Sequence, residues 1–413
     1  MINKERLWDQ LMELGKIGES TDKSKGLTRL VFTPEEDIAK KLVKDYMVDA
    51  GLAVMEDAAG NLIGKRIGKN PDLPVIMIGS HIDTVFRGGK FDGALGVLSA
   101  VEVARAINED NIELDHTLEI VSFTDEEGAR FSTGMLGSQA MTGRLDEDIL
   151  TSEDDEGVTL KKALEDAGYD PDKLTDAERA LGSIAAYLEV HIEQGKVLES
   201  KGLSVGVVTG IAGPRWFRIT LRGESGHAGS TPMDLRKDPL AGAAEIITHI
   251  ESIAGKQKNT VATIGQFNVE PGGINIIPES VSFSLDLRDE DLENRRIAET
   301  AIQGKIAEIV EKRELDLNIQ VLHNLDPVKC DPVLVDLSLK ASKTLQLPTT
   351  TLVSGAGHDS LNLATIAPIG MIFVRSQKGL SHRPDEYSSK DDCYDGARLL
   401  LQTVLNVDRD IKR

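Results

Sequence analysis

Histidine and carboxylate side chains that could bind metal ions recur through the first half of this 413-residue chain, and one more histidine follows near its end. Two-metal hydrolytic sites are built from such side chains, with divalent ions about 3.5–4 Å apart that share a bridging carboxylate. Each candidate follows or flanks an apolar run, where a strand would deliver it to one edge of a sheet. The sequence therefore predicts a two-metal hydrolase site, and the candidates are His81, Asp83, Asp92, Glu126, Glu127, His191 and His382.

Asp92 is the natural bridging ligand of such a site. It stands among glycines in the segment GGKFDG and directly before a predicted helix, where a short side chain can reach two ions. His81 would bind one ion. Asp83 lies two residues further along an extended segment and projects to the same face, so it can accept the second ring N–H of His81 and fix the orientation of the ring.

Glu126 and Glu127 are adjacent after an apolar run, and neighbouring side chains point in different directions. We therefore assign Glu127 as a metal ligand and Glu126 as the general base that takes a proton from the attacking water. A buried, crowded acidic site raises a carboxyl pKa, which suits this base. Each motif alone has an ordinary explanation, such as a turn at Asp92 or charge at a helix N-terminus. The interpretation depends on their joint occurrence.

The elements that position these residues alternate along the chain. Leu73–Gly79, Thr117–Phe123 and Ala185–Glu189 are short, mostly apolar runs typical of buried strands, and Gly93–Ile107 is typical of a helix. Such alternation predicts an α/β domain with a mixed, mostly parallel sheet. Ligands in these sheets gather at the carboxyl ends of the strands, which is where the candidates stand.

A different pattern begins after about residue 212. Trp216–Leu221 and Val281–Arg288 alternate apolar with polar residues, which indicates antiparallel strands with one exposed face. The stretches Pro239–Ile253 and Leu292–Lys312 have helical patterns and interleave with these strands. Strands and helices of this kind predict a separate α+β domain.

The α/β pattern resumes after residue 325, with a further strand and two helices. We therefore predict an α+β domain of residues 212–325 inserted into a metal-binding catalytic domain of residues 1–211 and 326–413. This arrangement allows His382 to join the ligands of the first half.

Composition limits the classes of function. A formal net charge of −21 argues against a surface for nucleic acid or anionic membranes. No run approaches the roughly 20 apolar residues of a membrane span, and the first residues lack the apolar core of a secretory signal. The cysteines, Cys330 and Cys393, are too few for a disulfide framework. We expect a cytoplasmic protein that acts on a small molecule.

Motifs over nearly the whole chain resemble the dinuclear-metal amidohydrolases that include allantoate amidohydrolase and N-carbamoyl-L-amino acid hydrolase. This family belongs to the larger group of aminoacylase-like metallopeptidases. Many peptidase relatives are expected to carry a carboxylate at a ligand position where the ureido-cleaving branch has His-x-x-Gln, here His191 to Gln194. The segments that carry the resemblance are residues 79–84, 88–96, 125–131, 189–195, 226–233 and 354–359.

The resemblance implies how the ligands are shared. One ion would be bound by His81, Asp92 and His191, and the other by Asp92, Glu127 and His382, with Glu126 as the base. The ions would be zinc or manganese, with cobalt and nickel as alternatives.

The resemblance also implies a homodimer. The inserted domain would act as a lid and dimerise. His227 would reach the active site of the other subunit, where it would stabilise the developing oxyanion. Without the resemblance, His227 would be interpreted as a turn residue in a glycine-rich loop.

Substrates of this family carry a carboxylate and a ureido group. Arg288, on the polar face of an alternating strand, matches the carboxylate-binding position, because an arginine fork suits a planar carboxylate. A surface salt bridge is the ordinary alternative for Arg288. Gln194 can recognise the ureido amide. The other candidate substrate ligands are His227, Asn275, Gly357, His358 and, more weakly because Pro214 precedes it where the family has a polar residue, Arg215.

These observations predict an enzyme that hydrolyses a linear carbon–nitrogen bond of a ureido compound. Allantoate, an N-carbamoyl-L-amino acid and 3-ureidopropionate all remain open as substrates. An aminoacylase or dipeptidase on the same fold is the first alternative, and His191 with Gln194 argues against it. A non-enzymatic binding protein is the second alternative, and the complete set of ligands and base argues against that.

Overall fold

The computed structural model of the protein describes residues 1–411. Residues 412 and 413, the last two of the predicted catalytic domain, lie outside the described residues. The chain divides into two compact units. The first unit contains Met1–Thr209, Cys330–Leu352 and the chain from Ala356 onward, and the second unit contains Gly210–Lys329 and Val353–Gly355.

Strands and helices alternate through the described chain. The strands are β1 (Ala53–Glu56), β2 (Leu62–Arg66), β3 (Val75–His81), β4 (Leu118–Phe123), β5 (Ile184–Ile192), β6 (Val205–Ile211), β7 (Gly213–Arg222), β8 (Gly226–His227), β9 (Val261–Thr263), β10 (Phe267–Glu270), β11 (Ile276–Ile277), β12 (Ser280–Asp289), β13 (Asp316–Asn324), β14 (Val328–Lys329), β15 (Thr351–Ser354) and β16 (Ile369–Val374).

The α-helices are α1 (Lys4–Leu14), α2 (Pro34–Asp49), α3 (Ala94–Glu109), α4 (Leu136–Met141), α5 (Leu160–Asp166), α6 (Val197–Lys201), α7 (Pro239–Ala254), α8 (Leu292–Arg313), α9 (Pro332–Thr344), α10 (Ser360–Leu363) and α11 (Lys390–Asp410). Short 3-10 helices cover Lys23–Lys25, Glu147–Thr151, Pro171–Ala177, Met233–Leu235 and Gln377–Gly379. Among residues 1–411, none of the helices has the length and apolar character needed to cross a bilayer. The cytoplasmic location stays a prediction.

A mixed sheet forms the centre of the first unit. Its strands lie in the order β1-β2-β4-β3-β5-β16-β6, and β15 pairs with β6. β3 is parallel to both β4 and β5, and β5 is parallel to β16, whereas β1 with β2, β2 with β4, and β16 with β6 are antiparallel pairs. The expected α/β unit with a mixed, mostly parallel sheet is confirmed.

The central strands of this sheet consist mainly of apolar residues, because neighbouring elements bury them. Every residue of β3 (VIMIGSH), β4 (LEIVSF) and β16 (IGMIFV) is buried. α3 packs against β3 and β5, and α11 packs against β16 and α3. Strands buried in this way are encoded as continuous apolar runs, which is why the sequence located them.

The second unit is built on an antiparallel sheet in the order β10-β12-β7-β13, with β9 also beside β12. Along β12, buried residues alternate with half-buried ones over ten positions. The buried side chains of β7 and β12, including Phe217 and Phe283, form one core with apolar residues of α7 and α8. This is the predicted α+β arrangement, and it is confirmed.

Candidate metal centre

The candidate ligands stand where neighbouring parallel strands of the first unit end. His81 is the last residue of β3, and His191 is the last but one of β5. Glu126 and Glu127 follow shortly after β4, which lies beside β3. His382 belongs to the segment between β16 and α11, and β16 lies beside β5. The topology therefore gathers residues that are distant in sequence at one sheet edge.

Asp92 lies between two groups of ligands. Its Oδ1 is 3.0 Å from His191 Nε2 and 3.6 Å from His81 Nε2. Its Oδ2 is 3.3 Å from His382 Nε2, and Glu127 Oε2 is 3.4 Å from the same nitrogen. In each of the two triads, the ligand atoms lie within 4.8 Å of one another. The structure thus brings together all five side chains expected to bind metal, with Asp92 common to both groups.

The donor set fits divalent cations. His81 Nε2 and Glu127 Oε1 are buried and have no hydrogen-bond partner within the described chain. An unsatisfied buried polar atom costs about 1–3 kcal/mol, which a cation at this place would offset. Imidazole and carboxylate ligands suit zinc and manganese among others. Gly93 leaves room for the His81 ring, because a Cβ there would lie 2.4 Å from the ring atoms.

The charges of the cluster also favour cations. Burial, and then repulsion from Asp92, raises the pKa of Glu127 to about 8. Burial likewise raises the pKa of Glu126 well above its usual value. Burial alone would lower the pKa of His81, but Glu126 and the neighbouring carboxylates outweigh it and leave that pKa raised. A cluster with this excess of buried negative charge binds protons strongly, and divalent cations can neutralise the same charge.

Asp83 connects the first ligand to the acidic pair. Its backbone carbonyl oxygen is 3.2 Å from His81 Nδ1, and its Oδ1 lies 3.4 Å from the same nitrogen. Its carboxylate also accepts the backbone N–H of Glu126 at 3.2 Å and that of Glu127 at 3.0 Å. Asp83 therefore acts as a positioning residue for three members of the site.

Three residues with left-handed backbone follow strands at this sheet edge. Asp125 after β4, Gln194 after β5 and His382 after β16 have φ angles of 54°, 55° and 56°. Residues other than glycine rarely adopt this left-handed conformation, which costs on the order of 1–3 kcal/mol and persists only where the surroundings enforce it. Such strain is typical of sites in which the direction of a side chain matters more than local stability.

Gln194 contacts Asp92, the residue common to both groups of candidate ligands. Its Nε2 donates to Asp92 Oδ2 at 2.8 Å and to Ser381 Oγ at 3.1 Å. Its Oε1 is buried and has no hydrogen-bond partner among residues 1–411. The amide is therefore anchored through its nitrogen, while its oxygen is free to accept an N–H group.

His358 packs against His191, one of the candidate ligands. Its ring is 1% exposed and meets the ring of His191 edge to face, with centroids 4.4 Å apart. Burial, aided by the nearby His191, lowers the pKa of His358 well below its usual value, so the ring is neutral. A Cβ on the preceding Gly357 would lie 2.9 Å from Met135 Cε. The structure thus places His358 beside the cluster, whereas Gly357 packs against Met135.

Two further candidate substrate ligands are neighbours in the second unit. β8, which ends at His227, pairs with β11, and the N–H of Ala228 donates to the carbonyl of Asn275 at 2.9 Å. His227 and Asn275 are both exposed. The N–H of Gly229 donates to His227 Nδ1 at 3.1 Å, so the proton of a neutral His227 ring is on Nε2.

The candidate arginines of the second unit already have partners. Arg288 holds the carboxylate of Asp286 through Nε and Nη2 at 2.8–3.1 Å, and its Nη1 donates to the carbonyl of Gly355. Arg215 pairs with Glu299 at 3.0 Å and lies over the ring of Phe217. The salt bridge considered as the ordinary alternative for Arg288 is therefore present in the structure.

Several buried polar residues of the site were not identified from the sequence. Glu386 accepts the backbone N–H groups of Phe91 at 2.9 Å and of Asp92 at 3.1 Å. Glu189 accepts hydrogen bonds from the hydroxyl groups of Ser80 at 2.8 Å and of Ser360 at 2.7 Å. A carboxylate inside the apolar run before His191 was a usable signal for Glu189. Glu386 gave no such signal, because it lies in a polar segment like any surface turn.

Comparison with known proteins agrees with this geometry. Residues 77–406 match the family model described as peptidase family M20/M25/M40. The chain is 52% identical over 404 residues to N-carbamoyl-L-amino acid amidohydrolase of Geobacillus stearothermophilus, with 98% of each chain covered. It is 35% identical to allantoate deiminase of Arabidopsis thaliana, with 93% of this chain and 79% of that protein covered.

Solved structures agree as well. The crystal structure of an amidase of the hydantoinase/carbamoylase family from Burkholderia multivorans matches with a TM-score of 0.92 and 35% identity, over 98% of this chain and 97% of that one. The relationship expected from the motifs and the assignment as an enzyme are thus confirmed. The chain belongs to peptidase family M20/M25/M40 and is a hydrolase related to its amidohydrolases.

Proposed function

We propose that the protein hydrolyses the ureido carbon–nitrogen bond of an N-carbamoyl-L-amino acid at a two-metal centre. The observation that carries this proposal is Asp92, whose two oxygens face two different groups of imidazole ligands. The N-carbamoyl substrate is favoured because the relative named for it is 52% identical, against 35% for the allantoate enzyme. Allantoate and 3-ureidopropionate remain the alternatives.

The metal ligands proposed are those that surround Asp92. His81 and His191 would share one divalent ion with Asp92, and Glu127 and His382 would share the other. Zinc and manganese are the first candidates, followed by cobalt and nickel. When bound, the ions supply Lewis-acid polarisation of the substrate carbonyl and lower the pKa of water.

Glu126 is the proposed general base. Its Oε2 lies 3.6 Å from His81 Nε2, so the carboxylate borders the ligand cluster. It would accept a proton from the attacking water and return it to the nitrogen that leaves as the amino group. The products are the free amino acid and a carbamic acid, which decomposes to ammonia and carbon dioxide.

The proposed substrate ligands have complementary chemistry. Gln194 Oε1 can accept an N–H of the ureido group, and His227 Nε2–H can donate to the developing oxyanion. Arg288 can bind the substrate carboxylate if it releases or shares Asp286. The remaining candidates for this role are Asn275, Gly357, His358 and, more weakly, Arg215. We also propose that the second unit acts as a lid and dimerisation domain, and that His227 acts in the active site of the other subunit of a homodimer.

A substrate panel tests this function. Chelated protein is supplied with manganese or zinc and given an N-carbamoyl-L-amino acid, allantoate, 3-ureidopropionate and an N-acetyl-L-amino acid in separate assays. Ammonia release reports on the ureido compounds, and free amino groups report on the acetyl compound. The highest kcat/KM should be found with the N-carbamoyl-L-amino acid.

Other results would decide between the alternatives. A higher kcat/KM on allantoate or 3-ureidopropionate would change the substrate and keep the chemistry. Cleavage of the acetyl compound alone would show an aminoacylase. A protein that binds no transition metal and gains no activity from it would be a binding protein.

A further inference from the structure

The oxygen of Asp92 that faces His382 is crowded with hydrogen-bond donors. Asp92 Oδ2 accepts Ser381 Oγ–H at 2.7 Å and Gln194 Nε2–H at 2.8 Å. A carboxylate oxygen offers about two lone-pair sites, and both are used by these donors. A cation bound by Asp92, Glu127 and His382 must therefore take the place of one of them.

Ser381 is the donor with another acceptor within reach. Its Oγ is 3.1 Å from Glu386 Oε2, and a hydroxyl group has one proton, so it donates to one carboxylate at a time. Within residues 1–411, Gln194 Nε2 contacts no carboxylate other than Asp92, since its other partners are Ser381 Oγ and, at 3.5 Å, His382 Nε2. Rotation of one hydroxyl group is therefore the smallest change that clears Asp92 Oδ2.

The carboxylate of Glu386 is held in one position by its neighbours. Its Oε1 accepts the N–H groups of Phe91 and Asp92, and the residue is only 5% exposed. Gly89 packs so closely that a Cβ there would lie 2.3 Å from Oε1. With Oε1 fixed, Oε2 stays directed at Ser381.

We propose that the Ser381 hydroxyl group exchanges its acceptor, from Asp92 Oδ2 to Glu386 Oε2, when a cation binds at Asp92, Glu127 and His382. Ser381 donates to the Asp92 oxygen that this cation would use, and Glu386 is the positioning residue that would accept the displaced hydroxyl group. This inference rests on the proposed two-metal function. It predicts that the two ions differ in their dependence on Ser381 and Glu386.

The variants Ser381→Ala, Glu386→Gln and their combination test the exchange. In Glu386→Gln the amide oxygen can still accept both backbone N–H groups, but its NH₂ group faces Ser381, so the hydroxyl proton is confined to Asp92. The second of two Mn²⁺ ions should then bind about 10–100-fold more weakly, the usual effect of losing such an outer partner, while the first binds as in the wild type. Ser381→Ala should remain close to wild type, because the serine loses one hydrogen bond in each state.

The double variant Ser381→Ala/Glu386→Gln decides whether the serine hydroxyl group is what weakens Mn²⁺ binding. Removing the hydroxyl from Glu386→Gln should restore part of the lost Mn²⁺ affinity, because only Gln194 then donates to Asp92 Oδ2 and one lone pair is left for the cation. Calorimetric titration of chelated protein and metal content after dialysis measure this directly. Asp385→Asn is the matched control: it removes a charge from the same segment, but Asp385 is 57% exposed and pairs with Arg383. It should bind both ions normally.

Three results would overturn the exchange. One is a double variant that binds the second ion no better than Glu386→Gln, which would assign the effect to charge or packing. Another is a tenfold or greater loss in Ser381→Ala, which can be measured even if Glu386→Gln fails to fold. The third is wild-type protein that binds no divalent ion, which would remove the proposed function and this inference together, whereas either of the first two results would remove only the inference.

Discussion

The metal cluster of the first unit and the substrate candidates of the second unit are built differently. His81, Asp92 and His191 are at most 5% exposed and hold one another in a single network at the ends of buried strands. His227 and Asn275 are exposed, His227 at the end of the two-residue strand β8 and Asn275 directly before the two-residue strand β11. These three candidate ligands are thus fixed by the core, whereas the two candidate substrate ligands are on the surface, where they can adapt.

The largest effect should come from the fixed region. Glu126→Gln keeps the shape of the proposed base and removes its ability to accept a proton. We expect kcat to fall by about 10²–10⁴-fold, the usual contribution of general base catalysis, with metal content unchanged. Stopped assays of amino acid release and metal analysis of the same sample measure both. If the variant keeps most of its activity, another group is the base.

The stabilisation of the folded protein by a bound metal ion should depend on residues of the first unit and not on those of the second. A cation present at 100 times its Kd stabilises the folded protein by about 2.7 kcal/mol, which thermal unfolding with and without manganese can measure. His191→Ala should lose much of this stabilisation. His227→Ala, in the second unit, should keep all of it. Equal losses in both variants would show that the cluster is not confined to the first unit.

A pair of glycines tests how tightly the cluster is packed. Gly93 and Gly157 both have positive φ, of 61° and 78°, so alanine is strained at either by roughly 1–2 kcal/mol. A Cβ at Gly93 would meet the His81 ring, whereas a Cβ at Gly157 has nothing within 4 Å. Gly93→Ala should therefore weaken manganese binding beyond its loss of stability. Gly157→Ala should lower only the free energy of unfolding, and weaker metal binding there would count against the packing argument.

The smallest effect should come from the adaptable region. Arg288→Lys keeps the charge but loses the planar fork, so KM for the N-carbamoyl substrate should rise by up to roughly tenfold with little change in kcat. Arg218→Lys is the matched control, because Arg218 is exposed on the neighbouring β7. An unchanged KM in Arg288→Lys would leave Arg288 as the partner of Asp286 alone.

The sequence located the cluster because strand ends are encoded locally. Apolar runs before His81, Glu126 and His191 predicted where each would stand, and the structure places them there. The role of Glu386 was not predictable in this way. It depends on how a polar segment folds back on Phe91 and Asp92, nearly 300 residues earlier, and nothing in the segment distinguishes Glu386 from its exposed neighbour Asp385.

The ion pairs of Arg288 and Arg215 show the same difference: one could have been predicted from the sequence and the other could not. Asp286 lies two residues before Arg288 on one strand, so both side chains project to the same face and their pairing could have been predicted. Glu299 belongs to α8, and its contact with Arg215 depends on how that helix packs on the sheet. Patterns along one element are visible in a sequence, whereas contacts between elements need coordinates.

Asp83 has a consequence for redesign of this enzyme. Because Asp83 contacts the His81 ring through its backbone carbonyl and holds the backbone of Glu126 and Glu127 through its carboxylate, the two candidate ligands and the proposed base cannot be moved independently. Random mutagenesis aimed at new substrates should therefore spare the turns after β3 and β4. Libraries at the surface strands around His227 and Asn275 leave this shared support intact.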